Sequence, residues 1–237
     1  QAQQDVRSML YHVYSFVRED SGLSLSPMGL SGFGYNGHVF WDTETWVYPA
    51  LLLLRPGMAR SLLDYRYERL GAARRNAYQH GYRGAMFPWE SAATGGEETP
   101  AHNLYSHFEV HVNADIALAA WQYWLVTRDR EWLRAKGWPL ISSTADFWVS
   151  RVEPRRDGGE DYELVNVIGA DEWGVNPGGG KNVDNNAYTT AAAMTNLDIA
   201  DKAACELGLA ADPRWRQVRR GLRLQRDDDG TVRLHDT

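Results

Sequence analysis

Apolar residues recur at spacings of three and four along most of this chain, which is the pattern of helices that bury one face. At the start of the chain this set comprises Val6, Met9, Leu10, Val13, Tyr14 and Val17. Proline near a first turn and glycine after a last turn mark several helix ends. The pattern predicts helices over about 3–18, 41–54, 56–70, 112–127, 130–151, 187–207 and 213–224.

Very short and very long connections alternate between these helices. Residues 127–130 join two helices directly, and helices joined so tightly lie antiparallel as a hairpin. Residues 21–37 and 81–109 are rich in Gly, Ser and Pro and are predicted to be irregular, while 151–167 predicts a β-hairpin. We therefore predict an all-α ring of helical hairpins, with long loops at one rim forming a concave pocket.

The composition is that of a globular protein, with 43% hydrophobic and 24% charged residues. A net charge of −6 argues against nucleic acid or an anionic membrane surface as a partner. The sequence shows neither a signal peptide nor an apolar run of about 20 residues. The ten Trp and twelve Tyr offer flat faces that can stack on sugar rings as well as fill a core. Because residues 231–237 end without a helix or tail, we expect the chain to be part of a longer protein.

Cys205 is the only cysteine, so the chain has neither an internal disulfide nor a zinc site made of cysteines. It lies in an apolar helical pattern, which predicts a buried thiol.

An acidic pair, Asp171 and Glu172, is followed by Trp173 and a glycine-rich loop. A carboxyl group beside an indole is partly desolvated, and desolvation raises its pKa. A general acid that works near neutral pH needs such a pKa, so Glu172 is a candidate proton donor. From this stretch alone, a helix-capping role for the pair is equally well supported.

Residues 29–44 form a first loop that could carry chemistry. Trp41 and Asp42 suit sugar recognition, since an indole covers a ring face while a carboxylate accepts hydrogen bonds from hydroxyls. Asp42 could equally cap the helix that follows. His38, Asp42 and Glu44 give only a weak metal signal, and the prediction is that no metal is bound.

A second loop, residues 84–100, interleaves aromatic residues with Pro and acids. Trp89 and Glu90 suit a carbohydrate pocket, although the aromatic side chains could instead form a small apolar plug. Glu97 and Glu98 are interpreted as a solvated acidic face.

Three segments in this order resemble the catalytic domain of glycoside hydrolase family 65, namely HVFWDTE at 38–44, MFPWESA at 86–92 with EETP at 97–100, and the pair 171–172 with NVDNNAY at 182–188. The resemblance runs from the first helix to about residue 210. It implies an (α/α)6 barrel of helical hairpins, incomplete in this fragment, with residues 1–237 forming part of one catalytic domain. It also implies a small α-glucoside as the substrate and no cofactor.

The resemblance places Glu172 on the general acid of the family. Trp41 and Asp42 match residues that hold the non-reducing glucose, and Trp89 and Glu90 match a loop lining the same pocket. The predicted substrate-binding set is Trp41, Asp42, Trp89, Glu90, Asp171, Asn185 and Asn186, with the two asparagines starting the helix behind the acid.

One departure bears on the reaction. Phosphorylases of the family usually have Tyr-His after the acid pair, whereas this chain has Trp173 and Gly174, which looks more like the hydrolase branch. We therefore predict an inverting glycoside hydrolase acting on an α-glucosidic bond of a disaccharide or glucosyl conjugate. The alternatives are an inverting phosphorylase that releases β-glucose 1-phosphate and a non-catalytic carbohydrate-binding domain. The base or phosphate site is expected beyond residue 237, and the linkage, the compartment and the oligomeric state, including a homodimer, stay open.

Overall fold

The computed structural model describes residues 1–100, 107–155, 161–170, 180 and 182–236. Within these ranges the α-helices are α1 (Ala2–Phe16), α2 (Tyr48–Leu54), α3 (Pro56–Glu68), α4 (Leu70–Gln79), α5 (Val112–Thr127), α6 (Arg130–Trp132), α7 (Trp138–Arg151), α8 (Ala187–Leu207) and α9 (Pro213–Gly221). A 3-10 turn covers Gly34–Gly37, and π-helical turns at Thr43–Val47 and Leu133–Gly137 lead into α2 and α7.

The predicted helices are confirmed, and two of them match their predicted ranges at both ends. Helix α8 ends where Gly208 adopts a left-handed φ of 69°, a conformation that glycine reaches without strain. The segment predicted as one helix from 56 to 70 is instead divided at Arg69, whose φ of −99° and ψ of 4° end α3. The guanidinium of Arg69 lies 3.6 Å from the centre of the Tyr65 ring and donates to the Ala92 carbonyl, which fixes this break against the second loop.

The tight connection between α5 and α6 is explained by local hydrogen bonds. Arg128 adopts a left-handed φ of 57° and ends α5. The Asp129 side chain then accepts from the Trp132 backbone N–H at 2.9 Å, capping the next helix. The chain reverses direction over these residues, as predicted. The predicted β-hairpin is also present, as the short antiparallel strands β1 (Glu153–Pro154) and β2 (Tyr162–Glu163).

Helix α5 lies at the centre of the packing, against α3, α7 and α8, while α8 also packs on α7 and α9. Burial of large side chains such as Trp148, Phe147 and Ile116 stabilises this arrangement by about 1.5–3 kcal/mol each. A second, smaller apolar cluster underlies the two site loops and contains Phe40, Trp41, Leu70, Ala73, Ala85, Phe87, Trp89, Val112, Ile116 and Leu140.

Two features differ from expectation. The apolar positions Val6 and Met9 of α1, predicted to lie on its buried face, are exposed. Cys205 is exposed as well, so the prediction of a buried thiol is wrong. The reason is that Ala203, Ala204 and Leu207 occupy the buried face of α8, which leaves Cys205 on the opposite face.

The described part of the chain contains no helix with the length and apolarity needed to cross a membrane.

Gly84 allows the second loop to approach α7 closely. Its φ is +73°, and an added Cβ would collide with the Ser143 carbonyl oxygen and lie 2.5 Å from the Phe147 nitrogen. The neighbouring Ala85 N–H donates to that same carbonyl at 2.8 Å, so the loop cannot move away without losing this hydrogen bond.

Gly84→Ala is therefore expected to lower the free energy of unfolding by about 3 kcal/mol, since left-handed strain adds to overpacking. Gly81→Ala is the matched control, because Gly81 has a φ of +80° with nothing within 4 Å of an added Cβ. It should cost only the conformational strain of about 1–2 kcal/mol. Urea unfolding measures both, and equal losses would show that the contact with α7 is unimportant.

Candidate active site

Trp41 lies where the first loop enters the π-helical turn, at the convergence of three helix starts. Its indole is 6% exposed. The ring centre is 4.9 Å from that of His111, just before α5, and 5.7 Å from that of Tyr188 in the first turn of α8. Both contacts are edge-to-face, so rings at the starts of two different helices hold the indole.

The second loop brings Trp89 to the same place. An antiparallel bridge between Val39 and Ser91 joins the two loops. Trp89 then lies edge-on to His111, with ring centres 5.5 Å apart, and to Phe40 at 5.7 Å. The indoles of Trp41 and Trp89, predicted from the sequence to share a sugar pocket, are thus gathered around one histidine.

Glu97 organises the second loop and is not part of a solvated acidic face, so that interpretation was wrong for this residue. Its carboxylate accepts hydrogen bonds from the backbone N–H groups of Trp89 at 2.7 Å and Glu90 at 3.0 Å. It also accepts from the N–H and hydroxyl of Thr99. Four donors converge on one carboxylate because the loop has no regular structure to satisfy its own backbone.

Glu90 is buried and lies 2.8 Å from Nδ1 of His38. Of the residues weighed as metal ligands, His38 is therefore paired with Glu90, while Glu44 is paired with Arg66. Within the described ranges, no three or more His, Cys, Asp or Glu side chains are grouped so that they could hold a metal ion. Asp42 is half-buried at the helix start, where its side chain forms no capping hydrogen bond.

A buried ion pair between Glu44 and Arg66 lies beside the backbone that leads to Trp41. The guanidinium donates from Nε to one carboxylate oxygen at 2.7 Å and from Nη2 to the other at 2.9 Å. Nη2 also donates to the Phe40 carbonyl at 3.2 Å, next to Trp41. Burial raises the pKa of Glu44 above its ordinary value, and the charge of Arg66 opposes this shift.

His111, Asp115 and Tyr188 form a hydrogen-bonded set that the sequence reasoning missed. Nδ1 of His111 lies 2.8 Å from one Asp115 oxygen, and the Tyr188 hydroxyl donates to the other at 2.8 Å. Burial and the Asp115 carboxylate raise the pKa of Tyr188 far above its ordinary value. The spacing of four between His111 and Asp115 was a usable signal, since such residues are neighbours on a helical face.

Asn185 and Asn186 are buried, and their side chains are used within the protein. Asn185 has a left-handed φ of 53°, accepts from the Leu164 N–H at 2.9 Å and donates to Asp236. The Asn186 side chain caps α8 by accepting from the Thr189 N–H at 3.1 Å. A direct contact of either residue with sugar stays a prediction.

Asn186→Ala is expected to lower the free energy of unfolding by about 1 kcal/mol, because it removes the cap of α8. Asn186→Ser is the matched control, since serine also accepts from the N–H three residues on and should lose much less. Urea unfolding of both variants makes the comparison. Equal losses would assign the cost of the alanine to something other than capping.

The acid pair itself, Asp171 and Glu172, lies outside the described residues, as does Trp173. Of the predicted site, the structure thus places Trp41, Asp42, Trp89, Glu90, Asn185 and Asn186. Residues 171–179 and 181, which include the acid pair, lie outside the described residues, and the segments on either side are joined by an antiparallel bridge between Val167 and Val183.

The arrangement of helical hairpins matches that of a solved structure, a provisionally assigned kojibiose phosphorylase from the human microbiome. The match has a TM-score of 0.84 and covers 99% of this chain and 33% of that chain, at 21% sequence identity. Identity this low shows the fold alone, and the fold is that of an (α/α)6 barrel fragment. A sequence model of the glycosyl hydrolase family 65 central catalytic domain matches residues 7–235. The chain belongs to glycosyl hydrolase family 65.

Both chemical branches appear among its relatives. A kojibiose hydrolase of Flavobacterium johnsoniae is 55% identical over 237 residues, which are 100% of this chain and 34% of that protein. A kojibiose phosphorylase of Halothermothrix orenii is 41% identical over 208 residues, covering 82% of this chain and 26% of that protein. The chain spans about a third of the length of these relatives or less.

Proposed function

We propose that residues 1–237 are part of one (α/α)6 barrel catalytic domain of an inverting glycoside hydrolase. Its substrate is an α-glucosidic bond in a disaccharide such as kojibiose or in a glucosyl conjugate. The observation that carries this proposal is the 55% identity to a kojibiose hydrolase along the whole chain. The meeting of Trp41 and Trp89 around His111 supports a sugar site at the same place.

In the proposed reaction Glu172 is the general acid. Its carboxyl proton passes to the glycosidic oxygen as the bond from that oxygen to the anomeric carbon breaks, so the leaving sugar departs as a neutral alcohol. A second carboxylate, outside this chain, takes a proton from a water molecule that attacks the anomeric carbon from the opposite face. The product is β-glucose. At the end of the reaction Glu172 has lost one proton and the second carboxylate has gained one.

The remaining proposed site residues bind the non-reducing glucose. Trp41 and Trp89 offer apolar faces, while Asp42 and Glu90 accept hydrogen bonds from hydroxyl groups. The rigid supports described above, namely Glu97 beneath the second loop and Arg66 behind the first, fit a site that must hold a ring in one orientation. Asp171, Asn185 and Asn186 complete the proposed set.

We propose no cofactor for the reaction and leave a homodimer to be tested by measurement of the molar mass in solution.

The alternative is an inverting phosphorylase, which the 41% identity to a kojibiose phosphorylase favours. There, inorganic phosphate takes the place of water as the nucleophile, and no catalytic base is needed. The product is then β-glucose 1-phosphate.

Product analysis of the full-length protein separates the two reactions. Kojibiose is supplied with and without inorganic phosphate, and the first product is followed by proton NMR before its anomers equilibrate. We expect β-glucose at a rate that does not depend on phosphate. Phosphate-dependent formation of β-glucose 1-phosphate would replace the hydrolase by the phosphorylase, and sugar binding without cleavage would leave a carbohydrate-binding domain.

A further inference from the structure

His111, Asp115 and Tyr188 form what we call the Asp115 clamp. We propose that the clamp is a positioning device that sets the orientation of the sugar-binding indoles, chiefly Trp41. This inference rests on the proposed function, because it assigns the clamp a task in binding the same sugar.

The clamp is built around one carboxylate with both oxygens engaged. An ionised carboxylate only accepts hydrogen bonds, so the proton between His111 and Asp115 belongs to Nδ1 of the imidazole. The Tyr188 hydroxyl donates to the other oxygen. The imidazole therefore cannot turn about its Cβ–Cγ bond without breaking its hydrogen bond, and the hydroxyl bond fixes the far end of the Tyr188 ring, at a carboxylate that is 6% exposed.

The two rings of the clamp both contact Trp41. His111 is fully buried, with its ring centre 4.9 Å from the Trp41 indole, and Tyr188 meets the same indole at 5.7 Å. His111 also meets Tyr188 at 5.1 Å and Trp89 at 5.5 Å. One carboxylate on α5 thus connects the first loop, the second loop and the start of α8.

Packing alone does not explain this choice of residues. Nε2 of His111 is buried with no hydrogen-bond partner among the described residues, and leaving a polar atom so placed is costly. An apolar ring would fill the space without that cost. What an imidazole adds is the hydrogen bond to Asp115, which selects one ring orientation between the two indoles.

The two rings of the clamp differ in their exposure to solvent. Tyr188 is 37% exposed, whereas His111 is fully buried beneath the indoles. Removal of the Tyr188 hydroxyl keeps the ring but removes its hydrogen bond to Asp115, so the carboxylate no longer holds the exposed ring of the clamp. Tyr188→Phe is consequently the least invasive way to loosen Trp41.

The test uses the full-length enzyme and D-glucose as a competitive inhibitor of kojibiose cleavage. In Tyr188→Phe we expect the inhibition constant of glucose to rise about tenfold, as is typical of a small misplacement of binding groups. Near-ultraviolet circular dichroism, which reports fixed aromatic packing, should lose intensity. Tyr48→Phe is the matched control, since the Tyr48 hydroxyl is also buried and donates to the Ala119 carbonyl at 3.0 Å, and among the described residues the Tyr48 ring is not one of the rings that meet Trp41 or Trp89. It should lower stability and leave the inhibition constant unchanged.

A double-mutant cycle with Trp41→Phe identifies the route of the effect. If the clamp acts through Trp41, Tyr188→Phe should change the inhibition constant less than about twofold in the Trp41→Phe background. An additive effect would mean that Tyr188 contacts the sugar itself, and an unchanged constant in the single variant would leave the clamp a structural feature. Either result overturns the inference while wild-type cleavage upholds the proposed function. A wild type that neither binds nor cleaves glucosides would overturn both.

Discussion

Replacing Glu172 by Gln in the full-length protein is expected to lower kcat for kojibiose by about 10²–10⁴-fold, the usual contribution of a positioned general acid. The amide keeps the size of the side chain but has no acidic proton, so the leaving sugar would have to depart as an alkoxide. Because the substitution removes proton transfer rather than binding, KM should change little. Steady-state kinetics of glucose release measures both constants.

Two comparisons make this prediction specific to proton donation. α-Glucosyl fluoride has a leaving group that needs no protonation, so Glu172→Gln should cleave it at a rate close to that of the wild type. Glu131→Gln, at an exposed carboxylate in α6, should leave both substrates unaffected. Equal losses on kojibiose and the fluoride would assign Glu172 to binding or folding, and near-normal cleavage of kojibiose would end its assignment as the acid.

The helical part of the fold could be predicted from the sequence because helix periodicity is a local property. Helix α5 and helix α8 begin and end at the predicted residues, since the apolar runs are long and Gly208 supplies a clear stop. The break at Arg69 could not be predicted in this way. It depends on a contact with the carbonyl of Ala92, which is distant in sequence and lies in an irregular loop.

The candidate site shows the same division between local and distant information. The motifs at 38–44 and 86–92 predicted which aromatic residues would meet, and Trp41 and Trp89 do lie around one point in the structure. His111 at that point carries one local signal, its spacing of four from Asp115, but that spacing does not show that it meets the two indoles. Its importance follows from contacts with residues 70 and 22 positions away, which only the folded chain reveals.

Charge pairing in the interior was likewise hidden from the sequence. From the sequence, Glu44 was considered as a metal ligand because carboxylates near a histidine can bind cations. Its partner is instead Arg66, in the last turn of α3. A fully buried carboxylate without a metal requires a cation close by, but which of many arginines provides it depends on how the helices pack.

Arg66→Met is expected to lower the free energy of unfolding by about 3–5 kcal/mol, the usual cost of breaking a buried ion pair from one side. Both side chains are 1% exposed, so Glu44 would lose the cation that it pairs with, in a region that also contains Asp115. The loss should be smaller at acidic pH. Without Arg66 the pKa of Glu44 in the folded state rises further above its unfolded value, so the variant is most stable where Glu44 is protonated and loses stability as the pH rises from about 4.5.

Two further variants test whether the unpaired charge is the cause. Arg66→Met combined with Glu44→Gln leaves no buried charge at the pair and should recover a large part of the lost stability at neutral pH. Arg216→Met breaks an exposed pair with Asp201, formed at 2.7 Å, and should cost less than about 1 kcal/mol. Urea unfolding of the full-length protein at neutral and acidic pH measures all four proteins. A pH-independent loss in Arg66→Met, or no recovery in the double variant, would instead assign the cost to lost packing and to the hydrogen bond that Arg66 donates to the Phe40 carbonyl.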